Sequence, residues 1–444
     1  MINKDLETKI ITLGKASIAS PLIKADPTFN QPFIEDTNRV LVYIHPAEIE
    51  HFLDQNLPLP TFEMAGPRSK IYFDPSKLRC ALATCGGLCP GLNDIIRSIV
   101  LELYYHYGVR NIYGMRYGLQ GFIPKYGHDV MELKPSTVAG ILDMGGSILG
   151  SSRGPQDINE IVDCLERMNI SILFMIGGDG TLKAAVKIAE VIEERKLKIS
   201  VVGIPKTIDN DIHLVSRSFG FDTAVEVARQ AIIGAHNEAL AYPNGIGLLK
   251  LMGRHSGFIA ATAALAQQDV NFVLIPEVDF DLEGPQGFLT ALEKRLADRG
   301  HAVIVVAEGA GQAFFKDSPP EYDQSGNLRL KDIGVFLKET IISYFANKKI
   351  DINIKYFDPS YMIRSLQANA NDSVFCGFLG RSAVHAGMAG KTKLVIGRWN
   401  NHLVHIPMVE ATSKRKQVAP GGELWASVLE TTGQGSLKNP SKEG

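Results

Sequence analysis

The sequence is short of cysteine, of long apolar runs and of net charge, and each shortage removes a class of protein. Five cysteines in 444 residues do not make a disulfide framework, so free thiols in a reducing cytoplasm are expected. Cys80, Cys85 and Cys89 do cluster, but no histidine or further cysteine completes a zinc pattern. They read as buried strand and loop thiols, with a metal site as the alternative. No apolar stretch approaches the roughly 18 residues of a membrane span. The opening Met1-Ile2-Asn3-Lys4-Asp5 lacks the apolar core of a signal peptide. A formal net charge of -2 provides no basic field for nucleic acid or anionic lipid. What is present is ordinary for a globular chain, 45% hydrophobic and 21% charged, and long enough for two or three domains.

Residues 1–78 carry eight prolines and a broken apolar pattern, and read as an accessory segment with one candidate strand over Val40–Ile44. From Leu78 the pattern becomes strand, glycine turn, helix, and repeats. Cys80–Thr84 runs into Gly86-Gly87-Leu88-Cys89-Pro90-Gly91, and a helix follows with Leu92, Ile95, Ile96, Ile99 and Leu103 on one face. Such a turn at a helix start either brings backbone N–H groups to a phosphate or packs helix on sheet. It is neither a Walker A loop nor a dinucleotide fingerprint. A second small-residue loop, Gly145–Gly154, contains Arg153, which suits an anionic ligand or a surface turn.

The apolar run Ser171–Ile176 leads into Gly177-Gly178-Asp179-Gly180-Thr181, with a helix expected over 182–194. The glycines admit a nucleotide phosphate chain, and Asp179 suits Mg²⁺. The run Ile199–Ile204 leads into Pro205-Lys206-Thr207-Ile208-Asp209-Asn210-Asp211. Were this stretch extended, Asp209 and Asp211 would lean to one side, fit for a base and a metal contact. A solvated Asp/Asn turn is the alternative. Met252-Gly253-Arg254 and Glu308-Gly309 also follow predicted strands. Residues 311–330 read as a polar excursion, helices resume near Asp332 and Asn371, and residues 432–444 read as a mobile tail. The alternation predicts an α/β fold of parallel sheets covered by helices, with ligands at the C-terminal ends of the strands.

In these blocks, and in Tyr361-Met362-Ile363-Arg364, the chain resembles the 6-phosphofructokinase family over about residues 80–410. Gly180 with Lys206, the long N-terminal segment and the Tyr361–Arg364 block are similar to the plant and trypanosomatid ATP-dependent type. The best-known bacterial pattern of the family has Gly in place of Lys206 and His in place of Tyr361. That pattern also carries an Arg shortly before Met252, where this chain has Tyr242-Pro243-Asn244-Gly245. Diphosphate users share the lysine but typically have Asp in place of Gly180.

The resemblance implies a two-lobed fold with an N-terminal extension (1–78), a nucleotide lobe (79–220 with a return near 365–410), a sugar-phosphate lobe (221–364) and a C-terminal extension (411–444), the two lobes facing each other across the active site. It implies Asp209 as general base, assisted by Thr207, Lys206 and Arg254. ATP would lie against Gly86, Arg153, Gly154, Gly178, Asp179, Gly180 and Thr181. Mg²⁺ would be held by Asp179, with Asp211 assisting. Fructose 6-phosphate would lie against Thr207, Ile208, Asp209, Met252, Gly253, Arg254, Glu308, Tyr361 and Arg364. A cytoplasmic, allosterically controlled homo-oligomer, tetramer or dimer, is implied as well, with no nucleic-acid or membrane partner. The alternatives are a diphosphate-dependent phosphotransferase and a non-catalytic regulatory subunit that binds sugar phosphate.

Overall fold

A computed structural model describes residues 4–24, 32–317, 319–322 and 328–440. The chain divides into two compact units. Unit 1 is Met1–Thr207, Ile212–Gly220 and Ser365–Arg415; unit 2 is Ile208–Asp211, Phe221–Arg364 and Lys416–Gly444.

Unit 1 is built on a nine-stranded sheet. Its strands run, in spatial order, Arg39–Leu41, Thr61–Met64, His402–Pro407, Leu394–Trp399, Ser200–Pro205, Ile172–Gly177, Arg79–Thr84, Asn111–Met115 and Val130–Glu132. The five from Leu394–Trp399 to Asn111–Met115 are mutually parallel, and the outer strands are antiparallel. Ile172–Gly177 and Ser200–Pro205 are buried along their whole length, as strands covered on both faces must be. The helix Ile158–Arg167 is capped by Asp157, whose carboxylate accepts from Asn159 N and Glu160 N. It joins Asp179–Glu194 in a core of Ile161, Leu165, Leu173, Met175, Leu182 and Ile188. The helix Leu92–Leu101 packs on Ala370–Met388 and ends in a π-helical turn, Glu102–His106.

The N-terminal segment groups with unit 1. Two of its strands extend the main sheet beyond His402–Pro407. A buried charge network ties it down: the Glu63 carboxylate accepts from Arg68 (2.7 Å), from Lys391 (2.7 Å) and from His405 Nδ1 (2.9 Å). Burial would raise the Glu63 pKa, but the His405 and Lys391 bonds outweigh it and hold the carboxyl down at about 2.

Unit 2 has an all-parallel four-stranded sheet in the order Phe272–Leu274, His301–Ala307, Gly245–Leu251, Asn353–Phe357. Phe221–Leu240 packs against Gly245–Leu251. Phe288, Leu292, Leu337, Ile341 and Phe345 fill the core beside Leu248, Ile304 and Val306. Residues 433–440, expected as tail, are instead anchored. Leu437 is buried in this core, Asp281 N donates to the Leu437 carbonyl, and Asn439 donates to the Asp281 carboxylate. One apolar side chain in a polar run and the bonds around it dock the segment. Residues 441–444 lie outside the described residues, as do 318 and 323–327 of the expected polar excursion. Among the described residues no helix is long and apolar enough to cross a membrane.

Candidate functional site

The candidate residues fall on both units, and each set is built from its own unit. In unit 1 they sit where parallel strands end. Gly86 follows Arg79–Thr84 at φ +83, a left-handed conformation that a side chain would strain. Its N–H donates to Ser152 O (3.3 Å), and Ser151 Oγ donates to Gly86 O (2.5 Å). These bonds join the Gly86–Gly91 turn to the loop that carries Arg153 and Gly154. Thr84 Oγ1 donates to Gly150 O (2.6 Å), and Asn93 spans the same loop through Met144 O (3.0 Å) and Ile148 N (2.9 Å). Arg153 itself is exposed.

The helix expected from residue 182 begins at Asp179, so Asp179, Gly180 and Thr181 form its first turn. Helical capture of the glycine-rich stretch follows from Gly178, whose carbonyl accepts the first helical bond from Leu182 N (3.0 Å). A carboxylate here suits the positive end of the helix. Asp179 Oδ2 also receives Lys183 Nζ (3.0 Å) and Arg415 (3.2 Å). A Cβ added to Gly180 would meet nothing within 4 Å, so open space lies over this turn. Lys206 is buried, and its Nζ donates to the Gly87 carbonyl. The Lys206 N–H prolongs the sheet ladder to Gly177 O (3.0 Å). Thr207 is held through its carbonyl by Ser218 Oγ (2.7 Å).

Ile208–Asp211 belongs to unit 2, and it is not extended. Ile208 and Asp209 turn, and Asn210 adopts φ +53, so strand alternation does not put Asp209 and Asp211 on one side. Asparagine tolerates this conformation better than other non-glycine residues, and it breaks the period of two. Ser256 Oγ donates to Asp209 O (3.1 Å), tying the turn to the Met252–Ser256 loop. Lys416 N donates to Asp211 O (2.8 Å). Burial draws the Lys416 amine down to about 7 against the pull of Asp211.

Gly253 has φ +134 and accepts from Gly309 N (3.1 Å), which brings Arg254 and Glu308 together. Burial raises the Glu308 carboxyl above its ordinary value, opposed by Arg254, Lys250 and Arg364. Arg254 Nε is buried and has no hydrogen-bond partner among the described residues, which fits a residue that takes an anionic ligand. Met252 is half-buried. Tyr361 is 73% exposed, with the Arg364 guanidinium 4.9 Å from its ring centre.

Sequence reading missed Lys183, Arg415, Ser256 and Lys416. Lys183 was visible as the i+4 partner of Asp179. Arg415 lies 236 positions away, and no local pattern reveals it. All five cysteines are buried and unbridged, and burial pushes the Cys85 thiol up to about 12. Among the described residues no three His, Cys, Asp or Glu side chains form a metal cage. The donor set still fits Mg²⁺, which commonly takes one or two carboxylates and completes its shell with water and substrate phosphates. Asp179 offers such a carboxylate beside the open turn.

The family model described as phosphofructokinase matches residues 79–387. An ATP-dependent 6-phosphofructokinase of Borreliella burgdorferi is 52% identical over 98% of this chain and 99% of its own. The ATP-dependent 6-phosphofructokinase 7 of Arabidopsis thaliana is 47% identical over 85% of this chain and 78% of its own. A solved pyrophosphate-dependent phosphofructokinase of Marinobacter aquaeolei shares the fold with a TM-score of 0.66, covering 83% of this chain and 94% of its own at 19% identity.

Proposed function

The chain belongs to the phosphofructokinase family, and we propose that it is an ATP-dependent 6-phosphofructokinase, a glycolytic kinase that converts fructose 6-phosphate to fructose 1,6-bisphosphate. The observation that carries the choice of donor is the empty space at Gly180, next to a carboxylate at a helix start, with no side chain to oppose a nucleotide's phosphates.

Unit 1 takes the donor. The Gly86 and Gly178–Thr181 turns approach the phosphates with backbone N–H groups, with Arg153 and Gly154 alongside. Lys206, fixed on the Gly87 carbonyl, adds positive charge. Asp179 would hold Mg²⁺, with Asp211 assisting; when bound, the ion would neutralise charge on the transferring phosphates. Unit 2 takes the sugar phosphate. Arg254 and Arg364 are the cations for it, Glu308 accepts from its hydroxyls, and Met252, Gly253, Ile208 and Tyr361 shape the contact. Thr207 holds the sugar end near the reaction centre.

The 1-hydroxyl oxygen forms the new bond to the γ-phosphorus as the bond to the ADP oxygen breaks. Asp209 accepts the hydroxyl proton, and ADP leaves. Ser256, bonded to the Asp209 carbonyl, fixes where that carboxylate starts from. A positioned base contributes about 100- to 10,000-fold.

The same reading places the enzyme in a reducing cytoplasm, in keeping with five unbridged cysteines, as an effector-controlled homo-oligomer, tetramer or dimer, on the family pattern. The test is Asp209→Asn with fructose 6-phosphate, ATP and Mg²⁺. A fall in kcat of about 100-fold or more with sugar affinity retained supports the assignment, and near-normal kcat contradicts it.

A further inference from the structure

Lys250 lies on the strand Gly245–Leu251, two residues before Met252, and its side chain is 12% exposed. Its ammonium meets two carboxylates at once, Asp332 Oδ2 at 2.8 Å and Asp358 Oδ2 at 2.9 Å. Burial alone would draw the amine down, but the two carboxylates hold it above its ordinary value.

Each carboxylate does a second task with its other oxygen. Asp332 Oδ1 caps the helix Ile333–Asn347, accepting from Gly334 N (3.0 Å) and Val335 N (3.1 Å). Asp358 Oδ1 accepts from Ser360 N (3.2 Å) and from Ser360 Oγ. That turn starts the segment leading to Tyr361 and Arg364. Pro359 O then accepts from Met362 N (2.8 Å) and Ile363 N (3.1 Å), and Ile363 is fully buried. From Asp358 to Arg364 the segment is thus held at its start by Lys250 and at its end by Ile363. The Lys250 charge also reaches Glu308. One cation therefore underlies the Met252–Arg254, Glu308 and Tyr361–Arg364 blocks.

From this arrangement we infer that Lys250 is a positioning residue for sugar-phosphate recognition. It fixes the Asp358–Arg364 segment, and with it the Arg364 guanidinium, without touching substrate. Removing it leaves two carboxylates facing each other across the vacated position, and their repulsion loosens the turn. A small displacement of a binding group far from the chemistry costs roughly 10- to 100-fold in its use. The inference rests on the sugar-phosphate role assigned to unit 2.

The experiment compares wild type, Lys250→Met and Lys250→Arg. KM for fructose 6-phosphate and for ATP, kcat, and amide exchange at Met362 and Ile363 without ligand are measured together. Lys250→Met is expected to raise KM for the sugar phosphate roughly 10- to 100-fold, with KM for ATP and kcat within about twofold. It should also speed exchange at Met362 and Ile363. Lys250→Arg, which can still reach both carboxylates, is expected to restore both readouts. Equal rises in both KM values, or unchanged exchange at these two amides, overturn the inference. Should the variant lose stability, Asp358→Asn gives the same readouts while keeping the lysine, and its failure to raise the sugar KM also overturns it. A wild type that does not turn over fructose 6-phosphate refutes the functional reading instead, and amide exchange then still decides whether Lys250 holds the segment.

Discussion

Gly180→Asp isolates charge from shape. An added Cβ meets nothing within 4 Å, and the glycine lies in the first turn of Asp179–Glu194 at an ordinary negative φ. The substitution replaces a first-turn glycine by aspartate, itself a weak helix former, a gain of roughly a few tenths of a kcal/mol, and puts an acid at the positive helix end, worth about 0.3–1 kcal/mol. The neighbouring Asp179 carboxylate opposes part of that gain, so the folded state should be at least as stable as wild type. The loss falls on the donor. At a separation of about 6 Å and an effective dielectric constant of about 20, one like-charge pair costs about 2.8 kcal/mol. That corresponds to about a 100-fold fall in kcat/KM for ATP. Diphosphate, which lacks the adenosine and the α-phosphate, should suffer less. The assay follows fructose 1,6-bisphosphate with each donor for wild type, Gly180→Ala and Gly180→Asp, with a melting curve for each. Gly180→Ala should stay within about threefold of wild type, because it adds volume to empty space without charge. A folded Gly180→Asp that uses ATP normally refutes the reasoning, and so does a Gly180→Ala that loses as much.

Asp179→Ala should cripple Mg²⁺-dependent turnover and leave sugar-phosphate binding in place; a Mg²⁺ titration of activity that matches wild type would move the metal contact elsewhere. Arg364→Ala should raise KM for fructose 6-phosphate about 10- to 100-fold, as loss of a charge-assisted contact implies, and a rise confined to ATP would reverse the roles of the two units. Glu63 has a folded pKa depressed to about 2 from 4.5, so its stabilisation is fully present above about 4.5 and is lost as pH falls towards 2. Melting curves at pH 6 and pH 3 should therefore show a loss, about 2 kcal/mol at most, that Glu63→Gln does not show.

The parallel core was readable because its strands are continuous apolar runs between glycine turns, as in Ile172–Gly177 and Ser200–Pro205. The turns that carry Gly86, Asp179, Arg254 and Glu308 were readable because they follow such runs. Local pattern misplaced the start of the 179–194 helix, since glycines argue against helix unless tertiary context overrides them. It left Asp209–Asp211 open between an extended segment and an Asp/Asn turn, and the turn with its left-handed Asn210 is what forms. What spans distant parts of the chain was invisible: Arg415 on Asp179, Lys250 under Asp358, and Thr61–Met64 beside His402–Pro407. The pairing of Leu437 with the unit 2 core was hidden likewise, because a single leucine among polar residues has no period.

The most direct test of the account is the ratio of kcat/KM for ATP to kcat/KM for diphosphate, measured on the purified wild-type protein with saturating fructose 6-phosphate and Mg²⁺. The open turn at Gly180, with no carboxylate to oppose a nucleotide's phosphates, predicts a ratio in favour of ATP. A preference for diphosphate, or turnover with neither donor despite sugar-phosphate binding, would contradict it.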